Sequence, residues 1–316
     1  MGNIGDVLMK KEMDNSYKDY RKRNFFTEKI RPKIFPILVY ILLVASCLGI
    51  IILLCWAFLS SFKDPMQWYI STWKLPEVWT FKNYITASSK LTIQINSYTR
   101  VGFWGLAWNT FLYAGVNAFL CVFTAALTTY ILARYKGVIP MVGALWTVYL
   151  FRRFIPVGAS IGAQLRFFKV IGIYDNMVGQ WIMNAGPYGA NFLVMYATWR
   201  GFGKTYAEAA EIDGANEFQI FIHIMLPLMI GLVLYTFVQK FIGMYNEWMG
   251  PMIYLPSYPT LSYGLFRMQY SVEPGMSFTP ARLAGLFIMS IIPFIGFMFC
   301  RKTMLEGVSI GSGLKG

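Results

Sequence analysis

The chain has 316 residues, of which 56% are hydrophobic and 14% are charged, with a formal net charge of +13. A soluble domain usually carries about 25% charged residues, so this composition excludes an ordinary soluble surface and predicts an integral membrane protein. Positive charge beside membrane spans sets their orientation, and the basic balance therefore does not indicate nucleic-acid binding.

The first predicted element is a polar, basic tail over residues 1–33, which we expect to be cytoplasmic. An apolar run from Ile34 to Leu59 follows. About 20 apolar residues cross the hydrocarbon core, so this run predicts the first transmembrane helix, which we interpret as an uncleaved signal anchor. The segment from Lys63 to about Gly102 is rich in Trp and Tyr, which favours an extracytoplasmic position at the membrane interface.

Five further spans are predicted, over residues 103–132, 138–172, 176–199, 227–248 and 283–299. The third span is expected to be a broken helix at Pro156, and the fourth is interrupted by Gly and Pro residues at 186–189. The stretch from 250 to 280 is predicted to be an extracytoplasmic loop. The spans thus form one transmembrane domain over residues 34–302, followed by a cytoplasmic, glycine-rich tail at 303–316.

A polar, alanine-rich stretch separates the fourth and fifth spans. From Tyr206 to Pro227 it reads YAEAAEIDGANEFQIFIHIMLP. The pattern predicts a short helix with small side chains on one side, stopped by a turn at Asp213-Gly214. Small side chains allow a partner to approach closely, so the stretch is typical of a docking element.

A second short helix is predicted after this turn. Asn216 can cap it, with Gln219 at the third helical position. Pro227 cannot donate a hydrogen bond to the carbonyl of His223, which predicts a kink before the fifth span.

These residues also carry a family motif. The sequence matches the EAA motif of ABC-importer permeases. The matching residues are Glu208-Ala209-Ala210, then, after three residues, Gly214, and, after nine more, Ile224-Met225-Leu226-Pro227. The chain therefore resembles the permease subunits of ATP-binding cassette (ABC) importers. The resemblance extends from about Lys33 to Gly316 and is closest to the MalG-like subunits of carbohydrate importers.

The resemblance implies an all-α integral membrane fold with six transmembrane helices in the MetI/MalG-like arrangement. It also implies that residues 200–227 form a coupling loop that sits in a cleft of an ATP-binding subunit. The implied coupling residues are Glu208, Ala209, Ala210, Asp213, Gly214, Ala215, Leu226 and Pro227. The tail resembles the family terminus that reaches between the ATP-binding subunits, which implies contacts by Gly313, Lys315 and Gly316.

The function implied by the resemblance is that of a permease subunit that moves an oligosaccharide across the bacterial cytoplasmic membrane, with both termini in the cytoplasm. The expected partners are a second permease subunit in a heterodimer, two ATP-binding subunits, an extracellular solute-binding protein and the lipid bilayer. ATP and Mg are expected on the ATP-binding subunits. The chain itself is expected to bind no cofactor or metal and to catalyse no reaction.

Five polar or charged residues within predicted spans are candidates for the translocation path: Arg152, Arg153, Lys240, Asn246 and Glu247. Charge inside a membrane usually faces a cavity or a partner. One hypothesis is that the cations attract an acidic glycan, such as a uronate-containing oligosaccharide. The alternative is structural, with Glu247 or acids of a partner neutralising the cations, or with long side chains reaching the outer interface.

Other functions remain as alternatives. The chain could be the permease for a different solute delivered by a binding protein. A self-powered secondary transporter would need ion-coupling carboxylates or an internal repeat, for which Glu247 is the one candidate. A membrane-embedded enzyme would need clustered His, Asp or Cys side chains, and the single histidine, His223, lies in the coupling stretch. Gly203-Lys204-Thr205 lacks the first glycine of a phosphate-binding loop, because Thr198 stands there.

Overall fold

The computed structural model describes residues 31–135, 140–154, 161–186, 190–202, 205–270 and 279–313. The predicted N-terminal tail therefore lies almost entirely outside the described residues. The chain divides into two units, Met1–Ser60 with Trp73–Leu75, and Ser61–Thr72 with Pro76–Gly316.

The first unit is built on one long helix, α1 (Arg31–Ser61). Its side chains are apolar on every side, and from Phe35 onward nearly all of them are exposed. An uninterrupted apolar surface of this length is typical of a membrane span. Near its end, the ring of Trp56 lies 5.1 Å from that of Trp73. The first predicted span is thus confirmed as a helix of the expected length.

The second unit contains two short strands and thirteen helices among its described residues. In chain order they are α2 (Pro65–Ile70), α3 (Lys82–Lys90), β1 (Ile93–Gln94), β2 (Arg100–Val101), α4 (Phe103–Tyr135), α5 (Pro140–Phe154), α6 (Ile161–Val170), α7 (Met177–Asn184), α8 (Ala190–Gly201), α9 (Thr205–Ile212), α10 (Glu217–Leu228), α11 (Ile230–Tyr245), α12 (Met249–Tyr254), α13 (Leu261–Tyr270) and α14 (Thr279–Gly313). The strands pair antiparallel, with Ile93 opposite Val101. This hairpin is a small exception to the all-α prediction.

The long helix α4 is the centre of the second unit, and it packs against α8 and α11. Four of its alanines are almost fully buried: Ala114, Ala118, Ala125 and Ala126. Small side chains let membrane helices approach closely, and such helices associate mainly by packing and hydrogen bonding. Helix α11 packs in turn against α14, where the hydroxyl of Tyr245 donates to the carbonyl oxygen of Met289 at 2.8 Å.

Within the described residues, three helices are long and apolar enough to cross a membrane: Phe35–Ser61, Phe103–Tyr135 and Thr279–Met304. Helices α10 and α11 pass the same test as a pair, although they are bent by 81°. The chain is therefore a helical protein with several membrane spans. The third and fourth predicted spans are divided into shorter helices, α5 with α6 and α7 with α8. The predicted break at Pro156 lies outside the described residues.

Two predicted connecting segments contain helices in the structure. The predicted loop over 250–280 contains two helices, α12 and α13. Helix α14 also continues to Gly313 and does not end at Phe299, so no structural break separates the last span from the predicted tail. The residues after Cys300, including Lys302, Met304 and Glu306, have good helix propensity, which outweighs the cost of the glycines that follow.

Candidate functional site

Residues 205–228 form a helical hairpin, the coupling hairpin, in which a short turn joins α9 to α10. The backbone N–H of Gly214 donates to the carbonyl oxygen of Glu211, and that of Ala215 donates to Ala210, both at 3.0 Å. This pair of bonds is the Schellman pattern, which needs a left-handed residue just beyond the helix end. Gly214 has φ of +82°, which glycine adopts without a Cβ penalty. Gly214 therefore shapes the turn.

The second helix of the hairpin begins with a capping box. The side-chain oxygen of Asn216 accepts from the backbone N–H of Gln219, and the side-chain oxygen of Gln219 accepts from the backbone N–H of Asn216, both at 2.9 Å. These bonds satisfy two donors that a helix start otherwise leaves open. The predicted cap is confirmed, and it lies directly after the turn that stops α9.

Replacing Asn216 with alanine should loosen the start of α10. We expect the loss of about 1 kcal/mol of helix stability, as is usual for an N-cap asparagine. Hydrogen–deuterium exchange should accelerate at the first amides of α10. The matched control is Asn176→Ala, because Asn176 caps α7 by accepting from the N–H of Val178 at 2.9 Å. Faster exchange in both helices for either variant would contradict a local cap.

The helix α10 changes pitch and direction before it reaches the membrane. Residues Ile220–Met225 are π-helical, and the 81° bend lies at Met229, between α10 and α11. The N–H of Met229 reaches the carbonyl oxygens of Met225 and Leu226 at 3.3 and 3.1 Å. The kink predicted at Pro227 is confirmed, two residues further along the chain. Pro227 is exposed and Leu226 is partly buried.

The inner face of the hairpin is packed against α4 and α8. Ala207, Ala210, Ile220, Phe221 and Met225 are all at most 5% exposed. Their neighbours include an aromatic cluster in which the Phe221 ring lies 5.2 Å from that of Tyr130 and 6.3 Å from that of Trp199. Two alanines of the motif region thus serve the hairpin's own packing. Ala210, one of the implied coupling residues, is therefore buried within the hairpin's own packing.

The outer face of the hairpin is open. Its exposed residues are Tyr206, Glu208, Ala209, Glu211, Ile212, Asp213, Gly214, Glu217 and Phe218, while Ala215 is partly buried. Ile212 is 87% exposed and Phe218 is 61% exposed. Large apolar side chains among carboxylates, held on a rigid hairpin, are typical of a surface that binds a partner protein.

One arginine connects both helices of the hairpin to α4. The guanidinium of Arg134 forms an ion pair with Glu211 of α9 and another with Glu217 of α10, the second at 2.9 Å. The hydroxyl of Tyr130, one turn earlier on α4, donates to the other oxygen of Glu217 at 3.1 Å. We call Tyr130, Arg134, Glu211 and Glu217 the ionic clamp. It joins both helices of the hairpin, α9 and α10, to the end of α4.

A polar cavity of about 430 Å³ lies between the hairpin and the ends of α4 and α8. Arg134 and Arg200 line it together with Glu208 and Glu211. Arg200 is exposed and has no carboxylate partner among the described residues. The hairpin is thus fixed at the ionic clamp, with open space beside it.

The predicted path residue Glu247 has a structural role. Helix α11 ends at Tyr245, and the carboxylate of Glu247 accepts from the backbone N–H groups of Met249 and Gly250 at 3.0 and 2.9 Å. It therefore caps the start of α12. Glu247 and Lys240 are not on one continuous helix, although both lie within the predicted fifth span, because α11 stops between them.

The other path candidates are only partly described. Lys240 is half-buried on α11 without a carboxylate partner among the described residues, and Asn246 is exposed at the end of that helix. Arg152 and Arg153 lie in the last turn of α5, and their side chains are outside the described part of the chain. In the tail, Gly313 is the last residue of α14, and Lys315 and Gly316 lie beyond the described residues.

Sequence reasoning missed most of the ionic clamp. Arg134 lies just beyond the predicted second span, and Glu217 is predicted only as a residue of the coupling stretch. Arg134 and Glu211 are 77 residues apart in the chain. The one available signal was a cation at the predicted end of the second span, facing an acidic segment predicted on the same side of the membrane.

Known proteins similar to this chain are membrane permeases, although no family model matches it. It is 25% identical over 220 residues to the diacetylchitobiose uptake system permease protein NgcG of Streptomyces coelicolor, covering 69% of this chain and 68% of that protein. It is 25% identical over 296 residues to the galactooligosaccharides transport system permease protein GanQ of Bacillus subtilis, covering 91% and 98%. The probable ABC transporter permease protein YurM of the same organism is 23% identical over 283 residues, with 87% of each chain covered.

A solved structure agrees with these relatives. A chain from a bacterial ABC transporter involved in the import of the acidic polysaccharide alginate superposes with a TM-score of 0.68 at 20% identity, covering 85% of this chain and 96% of that chain. The likeness shows that the two chains share a fold. The predicted resemblance to carbohydrate ABC-importer permeases is confirmed at the level of the family.

Proposed function

We propose that this chain is a permease subunit of an ATP-driven ABC importer that carries an oligosaccharide across the bacterial cytoplasmic membrane. The coupling hairpin is the observation that carries the proposal. Its outer face presents Ile212 and Phe218 among carboxylates, its inner face packs against α4 and α8, and two ion pairs join it to Arg134 of α4. A surface of this kind can receive force from a docked subunit and pass it into the membrane.

The proposed assembly contains a second permease subunit, two ATP-binding subunits and an extracellular solute-binding protein. ATP and Mg bind to the ATP-binding subunits, and this chain supplies the coupling hairpin and half of the route. Six spans in the MetI/MalG-like arrangement, with both termini in the cytoplasm, place the hairpin beside the ATP-binding subunits. In that arrangement the helix pairs α5 with α6 and α7 with α8 supply the third and fourth spans.

Two connections transmit the proposed movement. The ionic clamp joins the hairpin to α4, and the chain itself joins α10 to α11 through the bend at Met229. Closure of the ATP-binding subunits displaces the hairpin, and α4 and α11 move with it. Since α4 and α11 pack directly against each other, the displacement changes which side of the membrane the route faces.

The proposed substrate class rests on the relatives. NgcG is named for diacetylchitobiose and GanQ for galactooligosaccharides, whereas the solved transporter imports the acidic polysaccharide alginate. Oligosaccharides are the chemistry these proteins share, and we extend that class to this chain. An acidic substrate remains a hypothesis that depends on Arg152 and Arg153, whose side chains lie outside the described residues.

Two experiments test this function: purification of the complex from membranes, and measurement of oligosaccharide uptake by the purified complex. An affinity tag on the chain should recover an ATP-binding subunit and a second permease from detergent-solubilised membranes. Proteoliposomes that contain this complex and its binding protein should import an oligosaccharide only when ATP is present at the ATP-binding subunits. Uptake by the chain alone, driven by a proton or sodium gradient, would instead establish the secondary transporter.

Removal of the tail residues 309–316 tests the proposed contact of Gly313, Lys315 and Gly316 with the ATP-binding subunits. We expect the truncated chain to assemble normally, because the packed part of α14 is retained, and to show reduced ATPase stimulation by the binding protein. The measurement is the ratio of stimulated to basal ATPase activity. A ratio equal to that of the full-length complex would show that the end of α14 has no part in coupling.

A further inference from the structure

The exposed residues of α11 form one narrow, polar strip. After Ile230 at its start, the exposed positions are Tyr235, Gln239 and Gly243, followed by Asn246 at the helix end. Spacings of four, four and three residues place them on a single face of a helix. We call these four residues the polar strip.

The other long spans of the second unit expose a different chemistry. The exposed residues of α4 are Trp104, Trp108, Phe111, Phe119 and Ile131. From Leu286 to Phe299, α14 exposes apolar residues apart from Ser290, whose hydroxyl donates to the carbonyl oxygen of Leu286 at 2.8 Å. Lipid tails pack against apolar surfaces of this kind. Polar side chains within a span instead face a cavity or a partner.

The polar strip lies away from the helix packing of α11. Another side of this helix carries Phe237, Val238 and Phe241, which line an apolar groove of about 550 Å³ together with residues of α4 and α14. Helix α11 therefore has one apolar face toward α4 and α14 and one polar face that borders the start of α8.

The middle of the polar strip is arranged to bind hydroxyl groups. The side-chain amide nitrogen of Asn191, at the start of α8, donates to the side-chain oxygen of Gln239. Among the described residues, this leaves the amide nitrogen of Gln239 as a free donor and the amide oxygen of Asn191 as a free acceptor. A donor and an acceptor side by side are suited to a sugar hydroxyl, which both accepts and donates.

An aromatic surface follows the strip in the chain. Trp248 stacks on Phe266, with ring centroids 3.7 Å apart and planes 8° apart, and Phe266 lies 4.8 Å from Tyr270. Tyr270 is 66% exposed. The apolar face of a pyranose ring packs on aromatic rings while its hydroxyls bind amides, so aromatic and amide groups in succession are suited to a glycan.

We propose that the polar strip, with Asn191, lines the translocation route and binds the hydroxyl groups of the passing glycan through uncharged hydrogen bonds. This inference rests on the proposed function and adds the residues that contact the substrate. Gly243 keeps the middle of the strip free of a side chain, since a Cβ built there meets no atom within 4 Å. A sugar ring passes through the open space beside Gly243.

Cysteine accessibility tests the location of the strip without any substrate. In an assembled complex whose native cysteines in this chain are replaced by serine, Tyr235→Cys and Gln239→Cys should react with methanethiosulfonate ethylsulfonate, a membrane-impermeant anion. Phe119→Cys and Ile291→Cys, on the apolar faces of α4 and α14, are the matched controls and should remain unlabelled. Equal labelling of strip and control positions would overturn the inference.

Substitutions that keep the backbone intact test the contact itself. Gly243→Leu should reduce ATP-driven oligosaccharide uptake by more than tenfold, whereas Gly296→Leu, at an exposed glycine of α14 with equally open space, should have no effect. Gln239→Leu removes the hydrogen bonds and should reduce uptake about five- to thirtyfold. The probes are diacetylchitobiose, galactotriose and an alginate trisaccharide.

The outcomes separate this inference from the proposed function. Wild-type rates in both strip variants would overturn the inference and leave the proposed function intact. Loss of the second permease from purified strip variants would also overturn it, because the strip would then be a subunit interface. A wild-type complex without ATP-driven uptake of any oligosaccharide would refute the proposed function itself, whatever the cysteine labelling shows.

Discussion

Replacing Gly214 with valine is expected to uncouple ATP hydrolysis from uptake while the chain remains in the membrane. A β-branched residue resists a φ of +82°, and holding it there costs on the order of 1–3 kcal/mol. The turn should relax and misplace the outer face of α9. We expect ATP-driven uptake to fall by about 5- to 140-fold, since each 1.4 kcal/mol corresponds to a factor of ten.

A second substitution at the same position controls for the added side chain. Asparagine adopts the left-handed region far more readily than valine. A Cβ at Gly214 meets no atom of this chain within 4 Å, so Gly214→Asn should retain most of the coupling. If asparagine and valine reduce uptake equally, the partner requires the absence of a side chain and the backbone geometry is not the cause.

Loss of the Arg134 guanidinium should have the second large effect. Arg134→Gln removes both ion pairs and leaves Glu217 held to α4 by hydrogen bonds from the Tyr130 and Tyr135 side chains. The hairpin should still fold, because its turn, its cap and its buried face do not involve Arg134. Coupling free energies between sites are typically ~1–3 kcal/mol, so we expect a reduction in stimulated ATPase and uptake of about 5- to 150-fold.

Two further variants show whether the ionic clamp transmits force. Lysine is a point charge and cannot engage two carboxylates as a guanidinium does, so Arg134→Lys should be intermediate. Arg200→Gln is the matched control, because Arg200 lines the same cavity without a carboxylate partner among the described residues. Similar loss of uptake in the Arg134 and Arg200 variants would indicate a general need for positive charge there.

The coupling hairpin could be predicted because its signals are local. Gly214 stops one helix, Asn216 starts the next and Pro227 disturbs the entry to the span, and each acts through bonds to residues five or fewer positions away. Caps and turns formed by such short-range bonds can be predicted from the sequence. The first, second and sixth spans were equally clear, since their apolar runs exceed the length needed to cross the hydrocarbon core.

Interactions between distant segments could not be predicted from the sequence in this way. The ionic clamp joins residues 77 positions apart, and no spacing rule connects Arg134 with Glu211. The predicted fifth span extends too far because the apolar run continues to Trp248 and hides the helix end at Tyr245. The exposed polar strip on α11 became visible only once burial had separated its polar face from its apolar face.

Because of the bend at Met229, α10 is a lever arm attached to the end of α11. Helix α10 is about 18 Å long at 1.5 Å per residue, and it leaves α11 nearly at a right angle. A rotation of α11 of about 10° about its own axis therefore sweeps the far end of α10 sideways by roughly 3 Å. In the reverse direction, a small lateral push on that end becomes torque on α11, which turns the polar strip toward or away from the route without any vertical sliding of the helix.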